Sequence, residues 1–217
     1  MSEALAEGLR DGARALALDL PEEMQRQLLA YMALIQKWTR VYNLTAVRDP
    51  QEMLTHHLLD SLAAVTPLLR HTAGQPIRLL DVGSGGGLPG VVLAICRPEV
   101  QVTCVDTVGK KAAFIQQVAA TLRLPNLRGL HARVETVQDK FDVVCSRAFA
   151  SLADFTSWSA SALAEGGVWM AMKGKMPTDE IAQLPPETEL FHVEPLAVPG
   201  LDAERCMLWL RPRRQSL

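Results

Sequence analysis

The chain lacks the features that define several broad classes of protein. No apolar run approaches the roughly 18 residues that a bilayer span requires, and the opening Met1-Ser2-Glu3 does not read as a secretory signal. A soluble, cytoplasmic protein is expected. Neither sign of charge is in excess: 22 Lys and Arg stand against 24 Asp and Glu, a net of −2. That excludes a uniformly basic coat, so any nucleic-acid contact has to come from a local patch. Cysteine is scarce and unpaired in pattern. Cys96, Cys104, Cys145 and Cys206 form no C-x-x-C, and Cys104 and Cys145 sit inside apolar strand-like runs, as buried free thiols do. The histidines, His56, His57, His71, His131 and His192, show no metal-ligand spacing, and no metal is expected. There is no internal repeat and no low-complexity segment.

What the chain does have is the stretch from Ile77 to Gly90. It opens with the short, largely apolar run Ile77–Val82, interrupted by Arg78 and Asp81, and continues as Gly83-Ser84-Gly85-Gly86-Gly87-Leu88-Pro89-Gly90. The apolar pattern then resumes at Val91. The order is strand, glycine turn, helix start. Such a corner offers a close backbone approach and the unpaired N–H groups of a helix N-terminus. Two ligands fit it. From Gly85 the residues satisfy G-x-G-x-x-G, the dinucleotide fingerprint. From Asp81 they satisfy D-x-G-x-G-x-G, the first motif of methyltransferases that use S-adenosyl-L-methionine (SAM). The acid favours the second. A pyrophosphate is repelled by a nearby carboxylate, whereas SAM carries a sulfonium and an ammonium. An NAD-type oxidoreductase is the runner-up, and a non-catalytic SAM-sensing or RNA-binding module is a further alternative.

Residues 1–75 read as a helical extension. Met24, Leu28, Tyr31, Ile35, Trp38 and Tyr42 share one helix face. Asp49-Pro50 is an N-cap followed by proline in the first turn. Residues 76–217 form the ligand-binding domain, and the two parts are expected to pack as one unit. Strands are expected at Leu79–Val82, Gln101–Val105, Leu127–His131, Phe141–Ser146 and Val168–Met172, with helices between them. The helix from Ser151 to Ala164 is expected to end at Glu165-Gly166-Gly167. This alternation implies an α/β fold with a Rossmann-like parallel sheet. Glu189–Pro195 and Arg205–Leu210 have no helix between them and are expected to pair as an antiparallel hairpin at the sheet edge.

Ligands in such sheets bind beyond the carboxyl ends of the strands. The residues there are Asp81 with Gly83, Gly85 and Leu88, then Asp106, then Val134 and Glu135, then Arg147 and Lys173. Asp106 comes 23 positions after Gly83 (106 − 83), where an acid accepts hydrogen bonds from a ribose. Glu135 is placed to accept from an adenine amino group, with the Val134 N–H facing a ring nitrogen. Arg147 and Lys173 are the candidate catalytic residues, by position alone.

These residues together resemble the bacterial 16S rRNA (guanine-N7)-methyltransferase family known as RsmG or GidB. Trp38…Tyr42-Asn43-Leu44-Thr45-Ala46-Val47-Arg48-Asp49-Pro50 is similar to the family's N-terminal signature. His57-Leu58-Leu59-Asp60-Ser61-Leu62 resembles its second, and Leu80–Gly90 its SAM loop, including Leu88-Pro89-Gly90. Asp106…Gly109-Lys110-Lys111, Ser146–Ser151 and Lys173-Gly174 also match. The resemblance implies a class I SAM-dependent fold with SAM contacts at Gly83, Leu88, Val134, Glu135 and Arg147. It implies a target guanine in the 530 loop of 16S rRNA, in the 30S ribosomal subunit. A monomer is expected. One departure is His56, where the family's pattern has arginine or lysine; a phosphate contact there would depend on pH.

That chemistry asks little of the protein. Guanine N7 has a lone pair and no proton, so no general base is expected. Alignment supplies the rate, on the order of 7–11 kcal/mol for well-placed reactants. Arg147, Lys173, Lys175, Arg40 and Arg48 are expected to form a phosphate-binding rim, extended by Arg211, Arg213 and Arg214.

Overall fold

A computed structural model describes residues 3–213. Its centre is a seven-stranded sheet in the order β3-β2-β1-β4-β5-β7-β6. The strands are β1 Arg78–Val82, β2 Gln101–Asp106, β3 Leu127–His131, β4 Phe141–Arg147, β5 Leu163–Lys173, β6 Thr188–Pro195 and β7 Cys206–Pro212. β1 to β5 are mutually parallel, while β7 runs antiparallel to both β5 and β6. The sheet edge therefore carries the expected hairpin. Burial of β1 on both faces explains why it reads as a nearly continuous apolar run.

Two hydrophobic layers sandwich the sheet. One holds the N-terminal helices α1 Glu3–Ala15 and α2 Glu22–Tyr42, together with α5 Gly90–Cys96 and α6 Gly109–Leu122. Leu9, Leu28, Tyr31 and Ile35 pack there with Val91, Ile95 and Phe114. The predicted face of α2 is thus core packing, except at its end, where Tyr42 is exposed. The other layer is built on α7 Leu152–Ser159, through Leu152 and Phe155.

Between α2 and the sheet runs α3, a helical stretch made of Pro50–Met53, a π turn at Leu54–Leu59, and Asp60–Leu62. The Asp49 side chain caps it, accepting from the N–H groups of Gln51 and Glu52 at 2.9 and 3.0 Å. A π turn adds a residue to the helical circuit and often marks a functional position. Here it carries His56 and His57 and leads into Asp60. α4 Val65–Thr72 then leads to the sheet.

The sequence expectation fails in one place along the sheet. The helix after Ser151 stops at Ser159, a single 3-10 turn follows at Ala160–Ala162, and β5 begins at Leu163. Between the pairs Phe141↔Leu163 and Val143↔Val168, β4 advances two residues while β5 advances five. Glu165-Gly166-Gly167 is the bulge that absorbs the difference, and Gly166 takes a φ of +75° there. A glycine pair that reads as a helix stop is a strand irregularity. The short helix α8 Thr178–Ala182 is also absent from the sequence reading. Among the described residues, no helix is long and apolar enough to cross a membrane.

Candidate functional site

The corner after β1 is held by hydrogen bonds from three directions. Gly83 donates its N–H to the Val105 carbonyl at 2.9 Å, joining the turn to β2. Gly85 donates to Asp106 Oδ2 at 3.0 Å, and Gly90 to Asp81 Oδ2 at 2.8 Å. From the helical layer, the fully buried Tyr31 donates its hydroxyl to the Gly86 carbonyl at 2.5 Å. Gly83 is required twice over. Its φ is +64°, and a Cβ there would lie 2.2 Å from the Phe149 ring. At Gly86 a Cβ would meet nothing within 4 Å, so this backbone faces open space.

That space consists of two compartments along the carboxyl ends of the parallel strands. The first, about 440 Å³, is lined by Gly83–Gly86 and Leu88, by Thr45, His56, His57 and Asp60 from the helical extension, and by Arg147, Lys173 and Arg205. The second, about 540 Å³, is lined by Asp106–Val108, Lys111, Arg133–Glu135, Phe149 and Trp158. Gly83 and Ala148 belong to both walls. Phe149 lies over Gly83 at the junction, edge-on to Phe155 and Trp158. The loop that places it has Ala148 at φ +53° and Ala150 at φ +25°, conformations that cost a non-glycine residue about 1–2 kcal/mol.

Most of the sequence-predicted site residues come together here. Asp106 lines the second compartment, where its Oδ1 accepts from the Val108 N–H at 2.9 Å. Val134 and Glu135 form a 3-10 turn on the same wall, Val134 buried and Glu135 exposed. Gly85 and Leu88 line the first compartment. Arg147 ends β4 and donates Nη1 to Asp60 Oδ2 at 2.6 Å and to the His56 carbonyl at 2.9 Å. Lys173 ends β5, paired with Glu180 at 2.8 Å and donating to the Ala150 carbonyl at 3.1 Å.

Asp81 does not come to the site surface, which corrects its expected role beside the ligand. Its side chain is wholly buried and lines neither compartment. Cys104 and Cys145 flank it in register on β2 and β4. Burial pushes its carboxyl up to about 7, against the opposing pull of the Gly90 N–H and of Arg147. Asp81 therefore acts through the backbone: it ties the start of α5 to β1 and fixes the glycine turn from beneath. Its Oδ1 has no hydrogen-bond partner among the described residues.

The expected basic rim is also redrawn. Arg40 and Arg48 flank a separate depression of about 200 Å³ beside Thr39 and Met53. Lys175 is exposed just beyond β5 and lines neither compartment. Because β7 is antiparallel, Leu210 pairs with Trp169, so Arg211 lies towards the amino ends of the parallel strands. There it pairs with Glu189, while Arg213 donates its N–H to the Glu187 carbonyl. Neither extends the site, and Arg214 lies outside the described residues. His56 is exposed on the first compartment's wall.

Four site features escaped the sequence reading. Tyr31 lies on the α2 face that packs in the core, and its hydroxyl adds the tie to Gly86. Asp60 carries no sequence signal beyond the His57–Leu62 signature. Arg205 immediately precedes β7, whose first residue Cys206 pairs with Lys173 at the site end of the sheet, and the antiparallel hairpin was the signal that could have placed it. His57 Nε2 lies 2.8 Å from Thr45 Oγ1, which itself accepts from the Val47 N–H. Burial and the nearby Arg147 lower the pKa of His57, which favours the neutral ring.

The family model described as GidB, rRNA small subunit methyltransferase G, matches residues 24–208. The Acidovorax ebreus (strain TPSY) protein "Ribosomal RNA small subunit methyltransferase G" is 69% identical over 217 residues, covering 96% of each chain. The Polaromonas naphthalenivorans (strain CJ2) protein of the same name is 70% identical over 208 residues, covering 94% of each. Among solved structures, the fold resembles magnesium protoporphyrin IX methyltransferase (ChlM) from Synechocystis PCC 6803 with bound SAM. That likeness has a TM-score of 0.60 at 12% identity, over 83% of this chain and 97% of that one. With a family model spanning most of its length and relatives this similar end to end, the chain belongs to the rRNA small subunit methyltransferase G (GidB) family.

Proposed function

We propose that the chain transfers the methyl group of SAM to N7 of a guanine in the 530 loop of 16S rRNA, acting in the cytoplasm as a monomer on the 30S ribosomal subunit. The names of its relatives support an rRNA substrate. Family membership removes the dinucleotide reading of Gly85–Gly90. The observation that carries the assignment of parts is the pair of compartments meeting at Gly83.

The residues present fit the donor. The open face of Gly86 gives an extended ligand room against the backbone. The second compartment suits an adenosine: Asp106 has acceptor capacity for ribose hydroxyls, Glu135 for an amino group, and Phe149 and Trp158 supply apolar ring surface. Arg147 in the first compartment would hold the donor's carboxylate. When bound, SAM supplies an electrophilic methyl group.

The chain's own part is alignment. The first compartment would take the guanine among Leu44, Thr45, His57 and Lys173. The N7 lone pair attacks without losing a proton, so no base is required, and the neutral His57 adds no positive charge next to a product that becomes cationic. In A-form RNA the major groove that holds N7 is too deep and narrow for side chains, so the base has to be presented from a loop or splayed out.

Labelled SAM and 30S subunits from a strain lacking the modification test this reading. The expected outcome is one methyl per subunit, at N7 of a guanine in the 530 loop. A methyl mapped elsewhere, or none transferred, refutes it. S-adenosylhomocysteine at 100 times its Kd should also stabilise the fold by about 2.7 kcal/mol, with no effect from NAD.

A further inference from the structure

We infer that Arg205 binds a backbone phosphate of the RNA strand that carries the target base. The inference rests on the reaction proposed above and adds a contact that the family resemblance does not supply.

Asp60 sits at the base of the first compartment with its side chain 3% exposed. Each of its oxygens is taken by a different guanidinium. Oδ2 accepts from Arg147 Nη1 at 2.6 Å, and Oδ1 from Arg205 Nε at 2.9 Å. One carboxylate therefore serves two arginines. Lys173 on the same wall is matched by Glu180. Three cations, Arg147, Arg205 and Lys173, stand against two carboxylates, Asp60 and Glu180. The wall is left with a net charge of +1 (3 − 2), on a chain whose overall charge is −2.

This charge is enclosed. The two arginine side chains are only 20% and 23% exposed, so water screens them poorly. They also have unused donors. Arg205 spends Nε on Asp60 and Nη1 on the Glu204 carbonyl, and its Nη2 has no partner among the described residues. Arg147 spends only Nη1, leaving Nε and Nη2. Enclosed guanidiniums with free N–H groups and excess charge are suited to an anion.

The reaction brings two anionic groups to this compartment: the donor's carboxylate and the phosphates of the RNA. Position divides them. Arg147 ends β4, next to β1, and is followed by Ala148, which both compartments share. Arg205 reaches the same cavity from the start of β7, beyond β5 and on the side away from the glycine corner. A strand entering from that side would meet Arg205 before it meets the donor. The Asp60 bridge then holds the donor-side and the RNA-side guanidinium at a fixed spacing.

The test uses the full chain and two variants, with three readouts: S-adenosylhomocysteine affinity, methyl transfer to unmodified 30S subunits, and the salt dependence of transfer. Arg205→Gln is expected to bind S-adenosylhomocysteine within twofold of the parent. Its KM for the subunit should rise about tenfold with kcat retained. The slope of log(kcat/KM) against log[salt] should shrink by roughly 0.7, the value for one phosphate contact on a single strand. Arg205→Lys, which keeps the charge, should restore the slope. A purely structural role would change the melting temperature and leave the slope alone. In the unsubstituted protein, phenylglyoxal modification of Arg205, mapped by mass spectrometry, should be suppressed by 30S subunits and not by S-adenosylhomocysteine. An unchanged subunit KM and slope, protection by S-adenosylhomocysteine alone, or a matching loss of donor affinity overturns the inference. If the parent chain transfers no methyl to 30S subunits, the proposed reaction itself fails; if the parent is active and Arg205→Gln behaves like it, only the Arg205 assignment fails.

Discussion

Replacing Asp81 by Asn isolates the buried acid beneath the glycine corner. The carboxyl is wholly buried, and its pKa is raised to about 7, chiefly by loss of water. In the unfolded chain the same group titrates near its ordinary value of about 4. Between these values the folded protein holds a proton that the unfolded chain has released. Stability from this group is therefore full below pH 4, falls as the pH rises, and levels off above pH 7. Each tenfold difference in proton affinity is worth about 1.4 kcal/mol, so the loss across that window is on the order of 4 kcal/mol. Asparagine is nearly isosteric, keeps an oxygen for the Gly90 N–H, and does not titrate. The stability of Asp81→Asn relative to the parent should therefore improve with pH from 4 to 7 and stay constant above. Urea titrations of both proteins at pH 4.5, 6 and 8 measure that difference. A difference that is flat across the three values, or that shrinks with pH, refutes the reasoning.

Other outcomes follow from the same contacts. Gly83→Ala places a Cβ at φ +64° and 2.2 Å from Phe149, so it should lose more than tenfold in S-adenosylhomocysteine affinity, while Gly86→Ala, with nothing within 4 Å, should unfold like the parent. Calorimetric binding and thermal melts separate the two. Tyr31→Phe leaves the Gly86 carbonyl without its donor, which should cost about 1–3 kcal/mol in a urea melt and weaken donor binding in parallel. The four cysteines are buried and free, and burial raises all their thiol pKa values, Cys96 to about 12. None should react with a thiol reagent at pH 8 in the folded protein, and all four should react in guanidinium.

Much of the sheet was legible because the inner parallel strands β1, β2 and β4 are buried on both faces for most of their length and read as apolar runs between turn residues. Leu127–His131 matches its predicted bounds, and the acid of Asp106 ends β2 as expected. The β5 boundary failed because a bulge borrowed the glycines of a helix stop, and glycine alone does not distinguish the two. The choice of SAM over a dinucleotide agrees with the family, yet the argument from Asp81 as a direct ligand neighbour does not match its buried position. Whether an acid at a strand end points outward or inward depends on the helix packed above it, here on the Gly90 N–H. Arg205 and Asp60 were missed for a different reason. They lie 145 residues apart and meet only when the helical extension closes over the sheet. No local spacing signals such a pair. Arg211 and Arg213 lie at the far end of the sheet from the site because β7 runs antiparallel to β5, a direction that the hairpin pattern itself implies.

The most direct test is a crystal structure with S-adenosylhomocysteine. The adenosine should lie against Asp106, Val134 and Glu135, the chain should pass Gly83, and the carboxylate should meet Arg147. Density for the ligand anywhere else, with this corner bare, would contradict the placement of the chemistry in these two compartments.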